Sequence, residues 1–170
     1  MRTILALNYG SSSLKFATFN RATLELVARG RAERRPQEPD LAECLRSAGV
    51  LTDEVAAVSH RIVHAGPQPG PTRLSAALRD LIERSRSFAP LHDAAALAGI
   101  AAADSLVGPN VPQVAVFDTS FHFDLPHEAS AYALPLGLVE KFHGFARSCR
   151  VALRSAQRSR VNWVSIWRRS

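Results

Sequence analysis

The 170-residue sequence has no apolar run long enough to cross a membrane: its longest, Ala94 to Ala103, is about half of the roughly 20 residues a spanning helix requires. Arg2 is followed by too brief an apolar stretch for a secretory signal and by no small-residue cleavage site, so the expected location is cytoplasmic, with no membrane partner. Cysteine is scarce. Cys44 and Cys149 lie far apart with no metal-type spacing, which favours two reduced thiols over a disulfide. Acidic residues are missing from the last 26 positions, where seven arginines fall between Phe145 and Ser170. Residues 1–144 therefore carry 14 basic and 15 acidic groups, and the formal net charge of +6 belongs to the tail rather than the body. Glycines are too few and too dispersed for a dinucleotide fingerprint, and no Gly-Lys-Ser/Thr ending makes a Walker-type loop. What remains, 46% hydrophobic and 21% charged, describes a globular chain of a length that suits one domain.

The most informative segment present is Asn8-Tyr9-Gly10-Ser11-Ser12-Ser13-Leu14-Lys15. Ile4 to Leu7 before it is a continuous apolar run of the buried-strand kind, and Leu14 to Phe19 resumes strand-like alternation after it. The turn thus sets small hydroxyls and one cation where two strands meet, a chemistry suited to phosphate. Gly10 is expected to supply a backbone conformation closed to other residues. The plainer alternative is an ordinary Gly-Ser hairpin.

Thr23 to Ala32 reads as a third strand, and Glu33 to Pro39 as a loop. Asp40-Leu41-Ala42-Glu43 resembles a capping box for a helix that stops at Gly49. Glu54 to Ala65 reads as a strand emerging into a polar end, and Gly66 to Pro71 as irregular chain, because alternate prolines remove donors. Helical spacing recurs over Leu74 to Ile82, and again over Leu97 to Ala101 after an Asp93 cap. Val111 to Phe117 then reads as a central strand ending at Asp118. The order is that of a layered α/β protein, in which ligands gather at carboxyl ends of strands. Asn8, Arg61 and Asp118 each stand at such an end. His60 and His64, four apart, have the spacing of a zinc pair on a helix, but their strand context and the intervening Arg61 argue against a metal there.

Five blocks in order carry a resemblance: Leu7 to Phe16, Ser59 to Gly66, Ala89-Pro90-Leu91-His92-Asp93, Val116 to His122, and Tyr132-Ala133-Leu134-Pro135. Together they resemble acetate kinases. The resemblance implies reversible transfer of the γ-phosphoryl group of ATP to acetate or another short-chain carboxylate, with Mg2+, giving an acyl phosphate and ADP. It also implies the two-domain architecture shared with actin, sugar kinases and heat-shock-chaperone ATPases. In that architecture a ribonuclease H-like N-terminal domain, a mixed sheet flanked by helices, forms one wall of the cleft. The full-length family is expected to be homodimeric.

By the same resemblance, Asn8 stands near magnesium, Lys15 with Ser11, Ser12 and Ser13 faces ATP, Arg61 engages the substrate carboxylate or phosphoryl group, and Asp118 is the essential acidic residue of catalysis, a proton donor or acceptor. Each has a plainer reading: a turn asparagine, a snorkelling lysine, a surface ion pair, a strand-end turn former. Acetate is already ionised near neutrality and needs no base, so positioning Arg61 or metal-bound water suits Asp118 better than proton transfer. Val63 and Leu91 match a small pocket for the acetate methyl, and core packing accounts for them equally well.

The resemblance stops near His143. Phe142-His143-Gly144 arrives too soon after Tyr132 to be the family's Phe-His-Gly triplet, so His143 is not assigned its transition-state histidine. The expected division is an acetate-kinase-like domain over 1–143, a basic tail over 144–170 of the kind a reading-frame shift produces, and no second domain. A chain so truncated is expected to be inactive or weakly active. The alternative is a non-catalytic fragment or a nucleic-acid-binding module, with Trp163 and Trp167 set among the arginines of the tail. The neutral body and the lack of any binding motif make nucleic acid the weaker reading.

Overall fold

The computed structural model describes residues 1–33, 41–65, 68–86 and 90–122. Its centre is a six-stranded sheet of order β3-β2-β1-β4-β6-β5. Strands β1 (Thr3–Tyr9), β2 (Ser13–Asn20) and β3 (Leu26–Glu33) form an antiparallel meander. Its first turn closes through the Gly10 amide, which donates to the Ser13 carbonyl at 2.9 Å. Gly10 does not take a left-handed conformation; among the described glycines only Gly49 and Gly108 have positive φ. A side chain at position 10 would instead approach the Ser13 carbonyl to 3.2 Å, so close approach is the reason for glycine. At the second turn the Asn20 side-chain oxygen accepts from the amides of Ala22 and Thr23, an Asx turn that lets Leu24 adopt φ 59°.

Helix α1 (Leu41–Ser47) ends where expected, at Gly49 with φ +72°, while its proposed cap Asp40 lies outside the described residues. Strand β4 (Val55–Ile62) stops three residues short of the expected Ala65. A two-residue strand β5 (Thr72–Arg73) precedes α2 (Ala76–Ser85), which begins when the Ser75 hydroxyl accepts from the Leu78 amide at 3.2 Å. Helix α3 (Pro90–Val107) starts earlier than expected, with Pro90 at its first position, so Asp93 lies within the first turn and is not the cap. Strand β6 (Gln113–Phe117) is followed by a 3-10 turn over Asp118–His122.

Strands β1, β4 and β6 run parallel. Register places Leu5, Leu7, Val58, His60, Ile62, Ala115 and Phe117 on one face, where they meet Leu41 and Leu45 of α1, Leu78 and Ile82 of α2, and Ile100 and Ala103 of α3. All three helices thus cover the same face. Helix α3 sits so close to β1 that a Cβ at Gly99 would lie 2.7 Å from the Tyr9 Cβ. Residues between those core positions, including Asn8 and Arg61, face the other way. Among the described residues, no helix is long and apolar enough to cross a membrane.

Candidate active site

Three parallel strands deliver three side chains to one end of the sheet. Asn8 is near the end of β1, Arg61 near the end of β4, and Asp118 directly follows β6. The Arg61 guanidinium donates from Nε to Asp118 Oδ1 at 2.8 Å and from Nη2 to Asp118 Oδ2 at 2.6 Å, the bidentate fork that suits arginine to a carboxylate. Its Nη1 donates to Asn8 Oδ1 at 3.3 Å. The Asp118 side chain is only 9% exposed and that of Arg61 31%, so the pair is partly withdrawn from water yet reachable from one side. Both carboxylate oxygens of Asp118 serve the arginine. That is the geometry of a positioning group.

Lys15 lies directly opposite Asn8 across the β1–β2 pair and is exposed. Ser11 and Ser12 are exposed at the tip of the turn, and Ser13 is half-buried at the start of β2. The structure therefore brings Asn8, Arg61 and Asp118 into contact and sets Lys15 and the serines beside them, on the flank made by the first turn. Val63 is half-buried, whereas Leu91 is 71% exposed, which rules out core packing as the reason for Leu91. The Tyr132 block, Cys149 and the arginine-rich tail lie outside the described residues.

Behind the site, on the helix-covered face, a polar chain was not foreseen. His60 Nε2 meets Gln113 Oε1 at 2.7 Å, Gln113 Nε2 donates to Asp104 Oδ1 at 2.6 Å, and Asp104 receives the fork of Arg79 at 2.7 and 3.1 Å. Burial pushes the His60 imidazole down to about 4, so it is neutral at physiological pH and donates from Nε2 to the Gln113 carbonyl oxygen. His60 is thus a core histidine. The available signal was Gln113, a lone amide opening an otherwise apolar strand. Asp93 also sits on that side. It is fully buried, neither carboxylate oxygen has a hydrogen-bond partner at normal distance among the described residues, and burial raises it to about 6, only partly offset by the His64 backbone amide. His64 itself is lowered by burial.

The Acetokinase family model matches residues 40–148, a span that includes Arg61 and Asp118. The chain belongs to the acetokinase family. Acetate kinase of Coprothermobacter proteolyticus is 35% identical over 91% of this chain and 48% of the relative. A propionate kinase structure from Francisella tularensis superposes with TM-score 0.72 and 31% identity, over 83% of this chain and 43% of that one. Acetate kinase from Porphyromonas gingivalis gives TM-score 0.70 and 26% identity, over 92% and 49%. The chain thus spans about half the length of the relatives it matches. Its fold class is the mixed α/β sheet with flanking helices of the actin-like kinases.

Proposed function

We propose that this acetokinase-family chain forms one wall of the cleft of an ATP-dependent carboxylate kinase, which phosphorylates acetate or a close homologue and runs in reverse to make ATP. The observation that carries the reading is the Arg61 guanidinium, fixed by Asp118 and Asn8 at the carboxyl end of three parallel strands. A planar cation held in one orientation suits the carboxylate of the acceptor or the oxygens of the transferring phosphoryl group, and phosphoryl transfer is mostly positioning and charge stabilisation. In this reading Asp118 fixes the guanidinium and takes no proton. Lys15 and the hydroxyls of Ser11, Ser12 and Ser13 face the nucleotide phosphates from the first turn.

The donor set also suits hydrated magnesium. Magnesium keeps several waters and leans on substrate phosphates, and Asn8 Oδ1, with its second lone pair, would accept from metal-bound water while Asp118 adds a nearby negative charge. When bound, the ion would neutralise phosphate oxygens. The family resemblance further supports a cytoplasmic, homodimeric full-length enzyme. We further propose a kinase-like domain over about 1–143 followed by a basic tail over 144–170, a boundary that falls a few residues short of the end of the family match at residue 148.

These 170 residues span about half the length of the relatives; tested by themselves, they are expected to bind phosphorylated ligands but to turn over far more slowly than a full-length kinase. Calorimetric titration with acetyl phosphate and Mg·ATP measures binding, and hydroxamate trapping measures turnover. Wild type should bind acetyl phosphate and Arg61→Ala should not. Turnover at the rate of a full-length kinase would refute the half-site reading, and no binding of either ligand would refute the kinase reading.

A further inference from the structure

The strand register extends the site by one residue that nothing above assigns. Arg31 of β3 is the direct cross-strand partner of Lys15 on β2, and Lys15 is in turn the partner of Asn8 on β1, whose amide oxygen accepts from Arg61 on β4. Arg31, Lys15, Asn8 and Arg61 therefore form one row across four neighbouring strands, on the face opposite the three helices. Both Lys15 and Arg31 are exposed, and neither side chain makes a hydrogen bond or an ion pair with a described residue. Glu33 shares their face two residues along β3, opposite Ser13, and has an interaction of its own.

Residues directly opposite on a sheet face have their Cβ atoms about 5 Å apart, and like charges on such a pair repel, so the arrangement costs the hairpin some stability unless an anion bridges it. Edge strands do carry cations to discourage pairing with other chains, and that explanation applies to Arg29 as well, which lies opposite Ala17. It does not explain why the second cation stands against Lys15. We propose that Arg31 is a phosphate-binding residue, forming with Lys15 a dicationic cradle for the polyphosphate of a nucleoside triphosphate. The proposal rests on the kinase reading for the identity of the nucleotide, but the cradle itself requires only a polyphosphate. The fork of arginine spans two oxygens while the lysine ammonium meets a third as a point charge, which favours a chain of phosphates over a single one.

The test uses the full chain at low and at physiological salt, with ATP and inorganic tripolyphosphate as separate probes. Arg31→Gln should weaken both about tenfold, the loss shrinking as salt screens the site, while Arg29→Gln stays within about twofold. Arg31→Gln should also raise the melting midpoint by a few degrees, because it relieves the repulsion. A gain in stability together with a loss of affinity is not what a structural residue gives. If Arg31→Gln binds as wild type while Lys15→Gln does not, the role of Arg31 is refuted and the kinase reading stands. If Arg31→Gln loses binding but Lys15→Gln does not, the shared cradle is refuted. Tripolyphosphate binding without ATP binding would support the cradle and refute the nucleotide reading; binding of neither would refute both.

Discussion

Asp93→Asn should make this protein's stability rise with pH relative to wild type. The carboxyl is fully buried with no hydrogen-bond partner at normal distance among the described residues, and burial, only partly offset by the His64 backbone amide, raises its pKa to about 6 against 3.8 for the free side chain. A carboxyl whose folded pKa is raised contributes its full stability below the unfolded value, near 3.8, and loses it as pH climbs through about 6. At about 1.4 kcal/mol per pH unit, ionising Asp93 in the folded state removes about 3 kcal/mol between pH 4 and pH 7. Asparagine has the same shape and no charge, so it escapes that loss. Its amide brings a constant penalty of about 1–3 kcal/mol for a buried, unpaired donor. The variant should therefore be clearly less stable than wild type near pH 4 and as stable or more so at pH 7.5.

Urea unfolding followed by far-ultraviolet circular dichroism at half-unit pH steps gives the difference directly. The comparison also cancels His60, whose effect runs the opposite way. Burial lowers that imidazole from 6.5 to about 4, so its stability is full above pH 6.5 and is lost as pH falls through 4. In wild type the two slopes oppose each other between about pH 4 and 6 and mask one another. Parallel stability profiles for wild type and Asp93→Asn would show that Asp93 is ionised without penalty, and would refute the argument.

Two further outcomes follow from the packing. Gln113→Leu deprives the His60 Nε2–H of its acceptor and Asp104 of a donor, and should lower stability at pH 7 by about 1–3 kcal/mol in the same urea assay. Gly99→Ala drives a methyl to 2.7 Å from the Tyr9 Cβ and should cost about 1–3 kcal/mol in thermal unfolding; Tyr9→Gly should relieve it in the double variant, and Tyr9→Ala should not, because the Cβ itself is in the way.

The five longer strands were legible because each apolar run is bounded by polar turns, whereas the two-residue β5 was not; Asn8, Arg61 and Asp118 could be read as strand-end residues on that basis alone. Their mutual contact could not. Asn8 and Arg61 are 53 residues apart, Arg61 and Asp118 are 57, and only the sheet order brings their strands together. Asp93 misled because an aspartate before an apolar run is the usual cap, whereas Pro90, with its preset φ and no amide to satisfy, starts the helix three residues earlier. Leu91 misled in the opposite direction, since apolar character says nothing about which side of a first turn faces solvent. Arg31 was invisible for a subtler reason: an edge-strand arginine looks like solvation until the register sets it against Lys15.

The separation between the Arg61 contacts also has a kinetic side. The β1–β2–β3 meander pairs residues close in sequence and can form as soon as the first 33 residues are free, whereas β4 and β6 must close long loops before they add to it. On a ribosome adding about 5–20 residues per second, the codon for Asp118 follows that for Arg61 by roughly 3–11 s. During that interval Arg61 has no Asp118 carboxylate to orient it, and once the first 33 residues are free the meander stands beside a β4 strand whose β6 edge is still open. Any chaperone or neighbouring chain that meets it then encounters a half-finished sheet whose most basic edge is presented first.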